Sequence, residues 1–181
     1  YHAKPVGSWG NSRARILIVG LAPGLHGAYR TGKAFVGDAS GRFLFEALHS
    51  VGLASDPEPE NARLMNAQIT NAVKCLPPSN SPLTAEVSTC TRFLQSEIKT
   101  FCPLGAIRPR AIVSLGGVAF SAVGKVLGQK GTRFKHARVE VERNLLHIAS
   151  FHPSRLNVNT KRLTLEMLMD VLVEAKDFVE T

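Results

Sequence analysis

The sequence predicts an α/β fold of three layers, with a mostly parallel central sheet between two layers of helices. Three observations carry that prediction. Short, continuous apolar runs rich in β-branched residues recur at Arg15–Leu21 (RILIVGL), Arg110–Leu115 (RAIVSL) and Leu145–Ser150 (LLHIAS), the signature of strands buried on both faces. Segments with a three-to-four-residue apolar rhythm lie between and after them, which implies βαβ units. Gly or Pro closes each run, at Ala22-Pro23-Gly24, Gly116-Gly117 and His152-Pro153, where a ladder cannot continue.

Taken in order, Tyr1–Arg13 is polar and reads as a lead-in loop before the first strand, Arg15–Leu21. Gly27–Gly41 reads as a long loop, and a helix follows from Ser40, its expected N-cap, with Phe43, Leu44, Ala47 and Leu48 on one face. Leu64–Lys74 reads as the second strand, and Pro77, Pro78 and Pro82 mark the loop after it. Thr84–Phe101 reads as a helix capped by Thr84, with Glu86 in its first turn. Strand Arg110–Leu115 leads into a small helix, Val118–Leu127, and then a basic loop, Gly128–Arg138. Strand Leu145–Ser150 runs into Phe151-His152-Pro153-Ser154, and a closing helix spans about Lys161–Val179.

A length of 181 residues with 44% hydrophobic and 20% charged residues fits one domain, 1–181, and excludes disorder as the main state. No apolar stretch reaches the roughly 18 residues of a membrane span, and no signal-peptide pattern opens the chain. Because position 1 is Tyr, the expectation is a chain processed or begun downstream of its natural start. Lys and Arg exceed Asp and Glu by 22 to 14, a net charge of +8 with pI near 9.8. That excess suits a polyanionic partner, or simply a basic soluble protein. The three cysteines, Cys75, Cys90 and Cys102, do not make a disulfide scaffold, so a reducing, cytoplasmic setting is expected. A monomer is expected.

Sites in parallel sheets form at the carboxyl ends of strands. Loops Ala22–Asp38, Cys75–Pro82 and Phe151–Asn159 lie there and should converge. The first is neither a Walker A loop nor a GxGxxG turn. Within it, Phe35 reads either as a flat platform for a base or as a core plug. Asp38 reads either as a carboxylate for chemistry or as a helix cap. His152, held by the proline after it, is the candidate imidazole. His147 should alternate into the sheet as a structural residue, and His26 is a weaker candidate. No G-x-S-x-G elbow is present, which argues against an α/β-hydrolase.

These loops, in this order, resemble the uracil-DNA glycosylase superfamily. Gly20-Leu21-Ala22-Pro23-Gly24 is similar to its first motif and Phe151-His152-Pro153-Ser154 to its second. Arg30-Thr31-Gly32-Lys33-Ala34-Phe35-Val36-Gly37-Asp38, Asn71-Ala72-Val73-Lys74-Cys75-Leu76-Pro77-Pro78-Ser79-Asn80 and Leu115-Gly116 resemble its iron–sulfur branch. Family 4 members carry an acid where this chain has Leu21. Family 5, the type b enzymes, carry an apolar residue there, and they also resemble this chain over Gly27–Gly32, Gly37–Gly41 and Asn157–Thr164.

The resemblance implies a DNA repair enzyme that flips a uracil nucleotide and hydrolyses its glycosidic bond, with deaminated purines such as hypoxanthine as further substrates. It implies that His152 and Asp38 are catalytic, and that Ala22, Gly24, Phe35, Asn71 and Asn80 bind the base. DNA contacts are expected from Arg30, Ser154, Arg155, Lys161 and Arg162, with Lys130, Arg133 and Lys135 from the basic loop, unless these are only a solvated surface. It also implies a [4Fe–4S] cluster held by four thiolates. Cys75 and Cys90 match one pair of ligands. The other pair belongs upstream of the first motif, where Tyr1–Ala14 has no Cys. Either the natural chain extends further or the metal has been lost, and extension is the preferred reading. A second hypothesis is a catalytically inactive nucleic-acid-binding module of the same fold.

Overall fold

A computed structural model describes residues 4–78 and 81–181. Six strands form one sheet: β1 (Trp9–Gly10), β2 (Ile16–Gly20), β3 (Ala67–Asn71), β4 (Arg110–Leu115), β5 (Val139–Glu142) and β6 (Leu145–Ser150). They lie in the order β1-β3-β2-β4-β6-β5. The inner four are parallel, and β1 and β5 close the edges antiparallel. The sheet is therefore mostly parallel.

Alternation along the buried strands divides the core. Ile16, Ile18, Ile69, Val113 and Ile148 face α2 (Ala39–Ser50) and α6 (Leu165–Glu180). Leu17, Val19 and Ile112 face α3 (Thr84–Phe101) and α4 (Gly117–Leu127). The expected three layers result, because strands apolar on both faces need helices on both. Crossovers from β2 and β4 run to opposite sides of the β2–β4 pair, which opens a crevice at the carboxyl edge between them.

Several boundaries differ from the sequence reading. The lead-in segment contains β1, and the glycine-rich loop contains a single helical turn, α1 (Ala28–Thr31). A second short helix, α5 (Arg155–Asn159), follows the His152 motif. The N-cap of α2 is Asp38, not Ser40: the Asp38 Oδ1 accepts the Gly41 N–H at 2.8 Å. Leu83, not Thr84, precedes α3, and the Glu86 carboxylate accepts the Leu83 N–H at 2.7 Å. The strand expected over Leu64–Lys74 shortens to Ala67–Asn71. The closing helix starts at Leu165, not Lys161. Lys161 has a left-handed backbone (φ 56°), and the Thr164 hydroxyl caps the helix instead. β5 (Val-Glu-Val-Glu) is an edge strand, with its valines half-buried or exposed and Glu140 paired to Arg138. No helix among the described residues is long and apolar enough to cross a membrane.

His147 lies in β6 and is fully buried. Its Nδ1 donates to Gln129 Oε1 and its Nε2 accepts from the Ser114 hydroxyl, each at 2.8 Å. Its ring stacks on Phe120 at 4.7 Å. Burial pushes its pKa down to about 4, so the ring is neutral in the fold. The unfolded chain protonates near the ordinary value of 6.5, so between pH 6.5 and about 4 it binds more protons than the native state, and stability falls with pH. Urea denaturation at pH 7 and pH 4 should show a loss on the order of 3 kcal/mol from this residue. A His147→Gln variant should show a correspondingly shallower pH dependence, and equal slopes would contradict the assignment.

Candidate active site

β2, β3 and β6 end at the same edge, where the last residue of β3 and the chain leaving β2 and β6 border the crevice. Gly20 and Asn71 are register partners at the ends of β2 and β3, and His152 follows β6 by two residues. Ala22, Gly24, Phe35, Asp38, Asn71 and His152 border one cavity of about 170 Å³. The structure thus brings together six of the residues singled out in the sequence. Asn80 lies outside the described residues.

Phe35 is only 6% exposed yet faces this cavity, so it is a plug and a wall at once. Its backbone is left-handed, φ 61°, a strained conformation for an aromatic residue. Its ring centroid lies 5.9 Å from that of His152 with a 35° tilt. Gly20 makes the approach possible, since a Cβ there would fall 2.5 Å from both the Asn71 Oδ1 and the Phe35 ring. Asn71, 2% exposed, therefore presents its amide beside the aromatic face. An amide offers one donor group and one acceptor, the complement of a base edge that alternates carbonyl and N–H.

Asp38 places its two carboxylate oxygens on different neighbours. Oδ1 caps α2, while Oδ2 turns back toward the first loop, where a Cβ on Gly27 would lie 2.2 Å away and one on Gly24 3.7 Å away. His152 is fixed by Pro153 and by the Asn157 amide, which donates to the His152 carbonyl at 2.8 Å. Burial lowers the pKa of its imidazole, and the negative charge of Asp38 partly opposes that. At neutral pH the ring is an uncharged hydrogen-bond donor.

Several basic residues lie on the segments that border the crevice or pack beside them. Arg30 is exposed, with its Nε donating to the His26 carbonyl. Ser154 caps α5 and leaves Arg155 exposed on its first turn. Arg162 lies 4.6 Å over the Phe151 ring, and the His136 ring stacks on Phe151 at 5.1 Å. Lys161 and Arg162 sit in the turn before α6, not in its first turn. Lys130, Arg133 and Lys135 are exposed. Phe134 packs edge-on against Phe151 at 5.9 Å and so brings the loop bearing Arg133 and Lys135 beside His152. Sequence reasoning missed Leu156, 73% exposed on α5. Its signal was a leucine placed directly between the polar residues Arg155 and Asn157.

Cys75 and Cys90 border a second cavity, of about 270 Å³, between the loop after β3 and α3. Cys102 lines a different cavity with Leu104 and Asn144, and burial raises its pKa. Among the described residues no group of three or more His, Cys, Asp or Glu could hold a metal ion. Two neighbouring thiols are half of the ligand set a [4Fe–4S] cluster needs. The residues present do not complete one.

Residues 8–176 match the description of the Uracil DNA glycosylase superfamily. The chain is 45% identical over 97% of its length, and 76% of the relative's, to the Type-5 uracil-DNA glycosylase of Pyrobaculum aerophilum. It is 41% identical to the Type-5 uracil-DNA glycosylase of Thermus thermophilus, over 97% of this chain and 81% of that one. The Type-4 uracil-DNA glycosylase of Archaeoglobus fulgidus is 36% identical over 80% of this chain and 68% of its own. The crystal structure of wild-type Pedobacter heparinus SMUG2 shares the fold, with a TM-score of 0.56 at 16% identity over 91% of this chain and 75% of that one.

The electrostatics of the His152 pocket can be read by NMR titration of its imidazole. The midpoint should lie below the ordinary histidine range. An Asp38→Asn substitution should lower it further, because the opposing negative charge is gone. An unchanged midpoint on that substitution would show that the carboxylate and the ring do not interact.

Proposed function

The chain belongs to the uracil DNA glycosylase superfamily and is a uracil-DNA glycosylase of DNA repair, and we propose that hydrolysis takes place in the crevice bordered by Phe35, Asn71, Asp38 and His152. The observation that carries this reading is the meeting of Phe35 and His152 at 5.9 Å, with the Asn71 amide beside them, in one cavity at the strand ends.

A base inside a duplex cannot enter a cavity of this kind, so the nucleotide leaves the stack first. Leu156, apolar and exposed beside Arg155, is suited to fill the gap it leaves, as wedging side chains do. Arg155, Arg162, Lys161, Arg30 and the loop bearing Arg133 and Lys135 supply positive charge for the phosphates, with Lys130 at the start of that loop. Inside the crevice the base lies on the Phe35 ring, and the Asn71 amide pairs with its polar edge.

The glycosidic bond then lengthens. Its electron pair goes to the base, which becomes an anion, while the sugar gains cationic character at C1′. The neutral His152 imidazole donates an N–H to the base oxygen where the negative charge collects. Such a preorganised donor lowers the barrier because it is already oriented before charge develops. The Asp38 Oδ2, on the side of the first loop, stabilises the sugar cation and orients a water. The water oxygen bonds to C1′, its proton passes to solvent, and the base anion takes a proton as it leaves. Free uracil and an abasic site result. Leu21 contributes no charge to this process. Cys75 and Cys90 would supply two of the four ligands of a [4Fe–4S] cluster, which would tie the loop after β3 to α3. No step above passes through it.

A labelled duplex with one uracil, incubated with the protein and then treated with alkali, measures the reaction. His152→Ala should lower kcat by about 10²-fold or more, the usual cost of removing one such donor. Unchanged cleavage would sink the role given to the imidazole. Leu156→Ala should slow cleavage of uracil in duplex DNA more than in single strands, where no stack has to be opened. Equal losses on both substrates would argue against a wedge.

A further inference from the structure

The base slot has two walls on different segments, Phe35 on the first loop and Asn71 at the end of β3. We infer that Trp9 is a positioning residue that sets the Phe35 wall relative to the Asn71 wall. This rests on the reading of the slot given above.

The geometry is specific. The φ of Phe35 is the torsion next to the Ala34–Phe35 peptide, so whatever fixes the Ala34 carbonyl fixes the peptide plane on one side of that torsion. The Trp9 indole N–H donates to the Ala34 carbonyl at 3.0 Å. Lys33, one residue before Ala34, places its ammonium 5.2 Å over the same indole. On the other side, the first turn of α2 presses against Phe35, and a Cβ on Gly41 would fall 2.0 Å from the Phe35 carbonyl oxygen. Phe35 is thus held at φ 61° from both ends of its own backbone.

Trp9 is in turn held by the strand that bears Asn71. It is the register partner of Ile69 in the β1–β3 ladder, two residues before Asn71. Its ring stacks nearly parallel (10°) on Phe45 of α2 at 6.0 Å. One indole therefore spans from β3 to the loop, and the hydrogen bond at its tip transmits the position of Asn71 to Phe35. The indole borders neither the cavity nor the reacting atoms, so its effect is indirect. A base bound in a slot with a misplaced wall binds nearly as well but is poorly aligned for bond cleavage.

Two replacements isolate the N–H. Trp9→Phe keeps an aromatic ring against Phe45 and removes the donor. Biosynthetic replacement by benzothienylalanine, with sulfur in place of N–H, keeps the shape of the indole, and it alters one position because the chain has a single Trp. Phe35→Ala serves as the reference for the slot. Steady-state rates would be measured on duplexes carrying uracil or hypoxanthine, together with thermal unfolding. Both Trp9 replacements should lower kcat on uracil about fivefold, the equivalent of one hydrogen bond, with a smaller change in KM. Both should change the uracil-to-hypoxanthine rate ratio in the same direction, which a general loss of stability would not do. If Phe35→Ala is crippled while the sulfur analogue keeps full kcat and an unchanged rate ratio, Trp9 is only structural and the inference is overturned. If Phe35→Ala is itself fully active, the slot reading fails and takes this inference with it. Should Trp9→Phe fail to fold, the isosteric analogue decides alone.

Discussion

The site depends on one steric constraint at the end of β2. Gly20 pairs in register with Asn71, and the volume that any side chain at Gly20 would take is already occupied by the Asn71 amide and the edge of the Phe35 ring. Because the position is bare, an aromatic ring carried on a distant loop reaches the sheet edge and meets a polar group carried on the neighbouring strand. The rest of the architecture maintains that meeting. Parallel pairing aligns the strand ends, and α2 and α3 clamp the two faces behind them.

Much of this was legible in the sequence. Strands β2, β4 and β6 announced themselves because strands covered on both faces must be apolar throughout. The helices α3 and α4 announced themselves by their apolar rhythm. The elements that escaped are short or depend on contacts made elsewhere. β1 has two residues and exists only by pairing with β3, and α1 and α5 are single turns of four and five residues. Ser40 and Asp38 are both capping residue types in the sequence, and only the fold decides between them, because the Asp38 carboxylate reaches the Gly41 N–H. The two readings of Asp38, and the two of Phe35, do not exclude each other. A carboxylate has two oxygens and a ring has two faces, so one side chain that caps a helix or plugs the core still borders the cavity. The partnership of Trp9 with the loop was not legible, because 25 residues separate the indole from its acceptor.

Buried polarity is concentrated near the same edge. Lys74 is buried after β3, where its ammonium donates to the Thr70 hydroxyl at 2.7 Å, to the Asn71 carbonyl at 2.6 Å and to the Glu97 carboxylate of α3. The other Glu97 oxygen accepts the Ser8 N–H. A buried cation of this kind is tolerated because every acceptor around it is in place, and its geometric demands specify one arrangement of strand end, helix and lead-in segment. The cavity bordered by Cys75 and Cys90 lies next to this network, so its walls rest on a rigid base.

The free edge of the sheet has a consequence for how the molecule is handled. β5 offers unpaired backbone groups alongside alternating valines, the format that recruits a second ribbon into a growing sheet. Its two glutamates interrupt that tendency with charge. On a protein carrying a strong positive excess, these few anions guard that border. Any redesign of this surface should therefore spare both, since uncharged replacements would leave that border open to ribbon-to-ribbon self-association.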